Sequence, residues 1–404
     1  MPLTNKRAIA AALLGVGLVA TACGSSSSGG TTPSGGSTPS SGTSSAAIPS
    51  ISATSFTRDF SAMSALTPLA AEGKGNVGVI LPDTTSSARY TEFDAPYLTK
   101  AFEAAGLTSS QISIKNAQGS DSTFVTDAEA DITNGATVLL IDPEDPGTGA
   151  RVEKYAAAHG TTVIDYDRIT QGAYYVSFNN VEVGKLIGNG FAACLKSWNI
   201  SKPNLIEMVG AATDNNATLF ADGYNAVIKA HPSWTVAAKP AGTWTPAVAQ
   251  TEFAGAYTAH PTVNSAIIPN DENAAPIISY LKNHGVKAKT FPITGQDSTL
   301  VGLQNILSGY QCGTAYKPIY LETQAAAAVA MYVRAGKTPP AALVNGSTAN
   351  PNDNGKAMPS VLLKPEWVTT ANMEATVIKD NFVPAKQLCA GSYAKECSAA
   401  GITG

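Results

Sequence analysis

The chain has 404 residues, 44% of them hydrophobic and 14% charged, with 26 basic residues against 30 acidic ones. That length and apolar content exclude a mini-protein, a disordered chain and a coiled coil, and about 330 residues remain after a low-complexity start, enough for roughly two domains. A formal charge of −4 with no basic face argues against nucleic acid as a partner, and none of the 4 His has a second His or Cys at ligand spacing, so no metal is expected.

Lys6 and Arg7 precede an apolar and glycine stretch of 13 residues, 8–20, too short to span a bilayer. Ala20-Thr21-Ala22 then leads to Cys23. This pattern is a secretory signal ending at a cysteine, and it resembles a bacterial lipobox with Ala where Leu is commoner. It implies cleavage after residue 22 and a lipid on the Cys23 sulfur. Residues 24–50 hold 11 Ser, 6 Gly, 4 Thr and 3 Pro and no charge, a composition that cannot bury enough apolar area to order itself. Residues 23–72 are therefore read as a lipidated cysteine and its tether, with one alternative left open: the apolar residues of 51–72 dock on the fold.

From Asn76 onward, short β-branched and apolar runs alternate with helix-length segments. The runs 76–81, 137–142, 161–165, 204–210, 265–269 and 290–294 are predicted strands. Helices are predicted over 95–105, 181–197, 218–230, 272–283 and 323–335. The runs are apolar on both faces, as buried parallel strands are, so the fold class is α/β with doubly wound sheets. Polar residues cluster after the runs, at Asp83, Asp142, 165–168, 213–216, Asn270-Asp271 and Gln296-Asp297. In such sheets a ligand sits beyond the carboxyl ends of the strands, and with two sheets the natural site is the cleft between them. Outside the cytoplasm, Cys194, Cys312, Cys389 and Cys397 are expected as disulfides. Of three possible pairings, the closeness of Cys389 to Cys397 favours a local bridge and leaves Cys194 for Cys312.

No phosphate loop, dinucleotide fingerprint, zinc-protease motif or nucleophile elbow occurs, so no cofactor is expected. Asp and Glu after several strands leave a catalytic carboxylate pair open, but their Asn, Gln, Arg and Lys neighbours suit hydrogen-bonding a neutral polyol better, so no catalytic residues are expected. The run Asn350-Pro351-Asn352-Asp353-Asn354-Gly355 hints at a calcium loop but lacks the closing bidentate acid, and a solvated turn is the better reading. The informative set is Arg89, Tyr90, Asp167, Arg168, Asp214, Asn216, Trp244, Asn270, Asp297 and Lys317. Planar Arg, Asp and Asn side chains can each take two adjacent sugar hydroxyls, and Tyr or Trp rings can cover a sugar's C–H face. Three Asp with two Arg and one Lys can neutralise one another in a closed cleft. Taken singly, each residue could be a surface or capping residue; Asp214 and Asn216 could simply begin a helix.

The segments Ser87-Ala88-Arg89-Tyr90, Tyr166-Asp167-Arg168-Ile169, Tyr175-Val176-Ser177-Phe178-Asn179-Asn180, Asp214-Asn215-Asn216-Ala217, Gly295-Gln296-Asp297, Tyr316-Lys317-Pro318 and Pro359-Ser360-Val361-Leu362-Leu363-Lys364-Pro365 occur in one order along the chain. With them the sequence from Val77 to Leu388 resembles the type I periplasmic binding proteins for aldoses, in the xylose- and multiple-sugar-binding branch. The resemblance implies two α/β lobes joined by three crossovers. Residues 73–167 with 317–345 would form the first lobe and 168–316 with 346–404 the second. Arg89 matches the residue that holds ring hydroxyls, and Tyr90 stands where the family has a stacking Trp or Phe. Asp167 and Arg168 match the pair at the first hinge strand, Asp214 and Asn216 match second-lobe hydroxyl ligands, and Trp244 falls at a stacking tryptophan. Asn270, Asp297 and Lys317 complete the implied set. The implied function is an extracytoplasmic monomer that delivers a monosaccharide to an ATP-driven importer. Readings still open are a receptor for another polyol, a furanose or a small signal molecule, a sensor feeding a membrane kinase, and a glycoside-processing enzyme.

Overall fold

The computed structural model describes residues 49–403. The expected signal segment 1–22, Cys23 and the linker as far as residue 48 lie outside the described residues. Twelve strands are present among the described residues. In chain order they are β1 (Asn76–Leu81), β2 (Ile112–Asn116), β3 (Ala136–Ile141), β4 (Thr162–Tyr166), β5 (Tyr174–Phe178), β6 (Asn204–Glu207), β7 (Thr235–Ala238), β8 (Ser265–Ile267), β9 (Thr314–Tyr316), β10 (Gly346–Asn350), β11 (Lys356–Leu363) and β12 (Glu366–Val368).

Seven strands form one sheet in the order β10-β11-β5-β4-β3-β1-β2. Its pairings are parallel apart from the β10–β11 hairpin. The inner strands are Val-, Ile- and Leu-rich and buried on both faces, because helices cover the sheet on each side. One of these, Ile319–Arg334, carries an alanine-rich stretch that is buried almost all round, so small side chains let its backbone approach the strands. The second sheet has the order β7-β6-β8. Single bridges from Ala266 to Ile293 and from Gln296 to Ala315 continue it towards β9, which pairs with β12. Its core is a separate cluster around Ile206, Met208, Phe253, Ile268, Ile277 and Phe291. The elements around each sheet are called a lobe below. The expected α/β class with largely parallel sheets is met.

Several expectations are corrected. Residues 51–72 are not tether: Ile51, Phe56, Phe60, Met63, Leu66 and Leu69 are buried in the main core, and the last three lie on the short helices Ser61–Leu66 and Thr67–Glu72. Gln324 Nε2 donates to the Thr57 carbonyl at 2.9 Å and the Tyr332 hydroxyl to that of Pro49, pinning the segment to the helix Ile319–Arg334. Residues 290–294 are no strand; Ile293 makes one bridge only. The segments 174–178 and 346–363, expected in the second lobe, are hydrogen-bonded into the first sheet as β5, β10 and β11. The run Asn350-Pro351-Asn352-Asp353-Asn354-Gly355 is the turn of the β10–β11 hairpin, and no metal-ligating cluster occurs among the described residues.

The structure joins Cys194 to Cys312 within the second lobe and Cys389 to Cys397 in the C-terminal segment. No helix among the described residues is long and apolar enough to cross a membrane.

Candidate functional site

The site is assembled where strands end. Residues 86–90 follow β1, Asp167 and Arg168 follow β4, and Lys317 follows β9. From the second lobe come Asp214 and Asn216 after β6, Trp244 after β7 and Asn270 after β8, with Asp297 in a tight turn. All ten residues singled out from the sequence line one hollow between the lobes, joined by Ser86, Ser87, Phe220 and Gln296. Their own side chains fill most of it and leave about 30 Å³.

Arg89 is the centre of the first-lobe wall. Its Nε and Nη2 donate to the two Asp94 oxygens at 2.9 and 2.8 Å, and Nη2 also reaches Glu322 at 2.6 Å. Nη1 lies 3.0 Å from Asp167 Oδ1. Burial disfavours the cation, but Asp167, Asp94 and Glu322 outweigh it and raise the Arg89 pKa well above its ordinary value. Burial also pushes the Asp167 carboxyl up, yet Arg89, Lys317 and Arg168 more than reverse this and hold it below the usual carboxylate range. The Tyr166 hydroxyl donates to Asp94, and the Tyr90 hydroxyl to Asp167 Oδ2 at 3.3 Å. The Arg89 and Arg168 guanidiniums stand 5.5 and 5.6 Å from the centre of the Tyr90 ring, so two cations lie within cation–π reach of it.

On the second-lobe wall, the helices Asn215–Lys229 and Asp271–Asn283 begin at the site. Asp214 Oδ1 caps the first by accepting from Asn216 N–H at 2.8 Å, and Asn270 caps the second by accepting from Asn273 N–H at 3.1 Å. Asp214 Oδ2 also accepts from Trp244 Nε1 at 2.9 Å and faces Arg168 Nε at 3.3 Å. The Trp244 ring lies directly on Gly210, where a Cβ would come within 2.1 Å of it, so only glycine admits the ring there. Asp297 and the following Ser298 have φ of 88° and 52°, an unfavourable backbone for residues with a Cβ. Hydrogen bonds from their N–H groups to the Ala315 carbonyl at 2.9 Å and Thr314 Oγ1 at 3.1 Å hold the turn. Asp297 Oδ1 thereby meets Lys317 Nζ at 3.1 Å. Lys317 is raised: burial works against its charge, but Asp297 and Asp167 prevail.

The lobes touch across the hollow. Asn270 Nδ2 donates to the Ser86 carbonyl at 3.3 Å, Asn216 Nδ2 to that of Asp167 at 3.0 Å, and Ala88 N–H to Glu272 Oε1 at 3.1 Å. Even so, Arg89 Nη1, Arg168 Nε, Gln296 Oε1 and Asp297 Oδ1 are buried without a hydrogen bond. Three of these have an opposite charge close by, but not in line for a hydrogen bond, so directional donors and acceptors remain for something else in the hollow. A mixed set of this kind, with its charges neutralised internally, suits a small uncharged molecule carrying many hydroxyls.

Phe220 and Gln296 were not among the sequence-predicted site residues. Phe220 lies four residues beyond Asn216 on one helix face, and its ring sits edge-on to Trp244 at 6.4 Å, a spacing that could have found it. Gln296 follows an apolar run and stands in the resemblance segment Gly295-Gln296-Asp297, next to Asp297. Asp94 and Glu322, which hold Arg89, carry no local signal.

A family model described as a periplasmic binding protein domain matches residues 77–338. The D-xylose-binding periplasmic protein of Escherichia coli (strain K12) is 32% identical over 298 residues, covering 72% of this chain and 86% of that protein. The multiple sugar-binding periplasmic receptor of Rhizobium radiobacter is 30% identical over 343 residues, covering 80% and 94%. Among solved structures, a carbohydrate transporter solute-binding protein from Chloroflexus aurantiacus in complex with D-glucose superposes with a TM-score of 0.67 at 25% identity, covering 77% of this chain and 97% of that one.

Proposed function

The chain belongs to the periplasmic binding protein family, and from that premise we propose that it is a receptor for a monosaccharide, a xylose-like aldose, which it hands to an ATP-driven importer. It is a binding protein and not an enzyme. The observation that carries the sugar reading is the gathering of Arg89, Tyr90, Asp167, Arg168, Asp214, Asn216, Trp244, Asn270, Asp297 and Lys317 around one hollow with unpartnered donors and acceptors. Sugar enters when the lobes part. On closure its hydroxyls take up Arg89 Nη1, Arg168 Nε and Asp297 Oδ1, and its C–H face lies on Trp244. Because both walls contact it only when closed, sugar shifts the hinge towards the closed form, the form presented to the importer.

In this reading the chain crosses between lobes near residues 179, 317 and 364, leaving β1–β5, β10 and β11 in the first lobe. The protein acts as a monomer anchored outside the cytoplasm to the cell membrane by a lipid on Cys23, so Cys23→Ala is expected to release it from the membrane fraction. Titration calorimetry against D-xylose, D-glucose, other aldoses and myo-inositol tests the ligand. Heat with at least one aldose is expected, and silence with every aldose removes the reading. A polyol receptor is the second reading, favoured by Tyr90, whose hydroxyl engages an acid that would otherwise face the sugar; stronger binding of myo-inositol than of any aldose selects it.

A further inference from the structure

Beside the hollow lies a larger cavity of about 450 Å³. The two share Ser87, Arg89 and Asp297 as walls. The contacts that close the cleft here are thin: the Ser87 hydroxyl reaches Asp297 Oδ2 at 3.4 Å and Glu272 Oε1 at 3.3 Å, and both bonds run from the first lobe to the second. A hinge movement that parts the lobes breaks them together, and the two compartments become one trough.

The second compartment has the opposite character to the first. Phe93 stacks on Phe382 with ring centres 3.9 Å apart, and Val383 lies beside them. Leu300 and Val301, 37% and 42% exposed, form part of the lining. Polar residues line it too, among them Glu92, Thr299, Gln304 and Gln387, and one of them is Glu272: its Oε1 accepts from Ala88 N–H, while its Oε2 is buried without a partner. Burial, followed by the neighbouring charges of Asp297 and Asp271, pushes this carboxyl well up, which favours a form able to donate a hydrogen bond.

We propose that this cavity is a second subsite of the same cleft and takes an apolar aglycone, an aryl or alkyl group joined to the sugar through its glycosidic oxygen, with Glu272 as the polar contact at the junction. The inference rests on the reading of the first hollow as a sugar site. Continuity of the two compartments across Ser87 places an anomeric substituent within reach, and the apolar lining selects a ring or alkyl chain over a second sugar.

Calorimetry on the full folded chain tests it, using the aldose that binds best together with its methyl and phenyl glycosides in both anomers. One phenyl glycoside is expected to bind about tenfold more tightly than its methyl counterpart, a fraction of what full burial of a phenyl ring can yield. Val301→Trp, a change at a half-exposed position, fills the cavity; it is expected to abolish that advantage and leave the free aldose within about twofold. Phenyl glycosides that bind no better than methyl ones, or an advantage that survives Val301→Trp, overturn the subsite. Binding of the free aldose with rejection of every glycoside overturns the subsite alone, whereas silence from aldoses and glycosides alike removes the sugar reading and the subsite with it.

Discussion

Arg89 on the first-lobe wall is held by Asp94, five residues on, and by Asp167 and Glu322 from distant parts of the chain. Asp214 and Asn270 on the facing wall are each fixed by the first turn of the helix they begin. The first arrangement is a buried charge network in which no member can leave without stranding another. The second is a set of local caps, each set by its own few residues. One cleft therefore contains a wall whose stability and binding are inseparable and a wall whose contacts can be removed nearly one at a time.

The sharpest test of that contrast is Arg89→Ala. It leaves three buried acids facing one another, and removing one member of such a pair typically costs about 3–5 kcal/mol. Urea unfolding of the variant should show a loss of that order together with loss of sugar binding; a stable variant that merely binds less would mean the network is not structural. Asp297→Ala comes next. It strands Lys317 Nζ, which is 4% exposed as a residue and has Asp297 as its ion-pair partner among the described residues, and should weaken binding by on the order of 2–3 kcal/mol. Affinity equal to that of the native chain would remove Asp297 from the site. Asp214→Ala is the smaller change: loss of the cap should lower stability by about 1 kcal/mol. Affinity should fall as well, because Trp244 Nε1 loses its acceptor and Arg168 Nε its nearby carboxylate, Arg168 keeping Asp142 at 3.2 Å. If Asp214→Ala destabilises as much as Arg89→Ala, the distinction between the walls fails.

The same contrast explains what could be read from the sequence. Cap residues and strand-end residues announce themselves locally, because a polar residue after an apolar run and before a helix has few other roles, and Asp214, Asn216 and Asn270 were found that way. Glu322 could not be. It is a lone acid in the alanine-rich helix Ile319–Arg334 and reads as surface, yet it is fully buried because Arg89 reaches it from another part of the first lobe. The first lobe crossing was misplaced for a related reason. β4 and β5 are parallel neighbours, and parallel strands ordinarily need a connection of about a dozen residues or more, usually a helix. Here seven residues, 167–173, run back along the sheet without one. Asp165 makes this possible by accepting from the N–H groups of Thr170 at 2.6 Å and Gly172 at 3.2 Å. A buried acid again does what alternation cannot reveal. The docked segment 51–72 was ambiguous because its apolar residues follow no single period; the partner that orders them, the helix Ile319–Arg334, is far away in sequence.

The smallest expected effect is a slope with pH, and it can be divided between the walls. In the first-lobe network burial pushes Glu322 up to about 8 despite the opposing pull of Arg89. On the other side burial pushes Asp271 up to about 7, with hydrogen bonds from Gln311 and Thr299 N–H working against it. Both values lie above those of the unfolded chain, near 4. Between the two limits the folded protein holds more protons than the unfolded one, so stability is fullest below about pH 4 and declines as pH rises through about 7 and then 8. Urea midpoints measured from pH 5 to 8.5 should therefore fall. Glu322→Gln, which keeps an acceptor for Arg89 but cannot ionise, should flatten the upper part of the decline, and Asp271→Asn should lessen the lower part, which Asp165, also pushed up to about 7 by burial, shares. Midpoints that stay flat across this range would mean that both acids are ionised in the fold. The Arg89 network would then carry one more negative charge, and Arg89→Ala would have to be more damaging still.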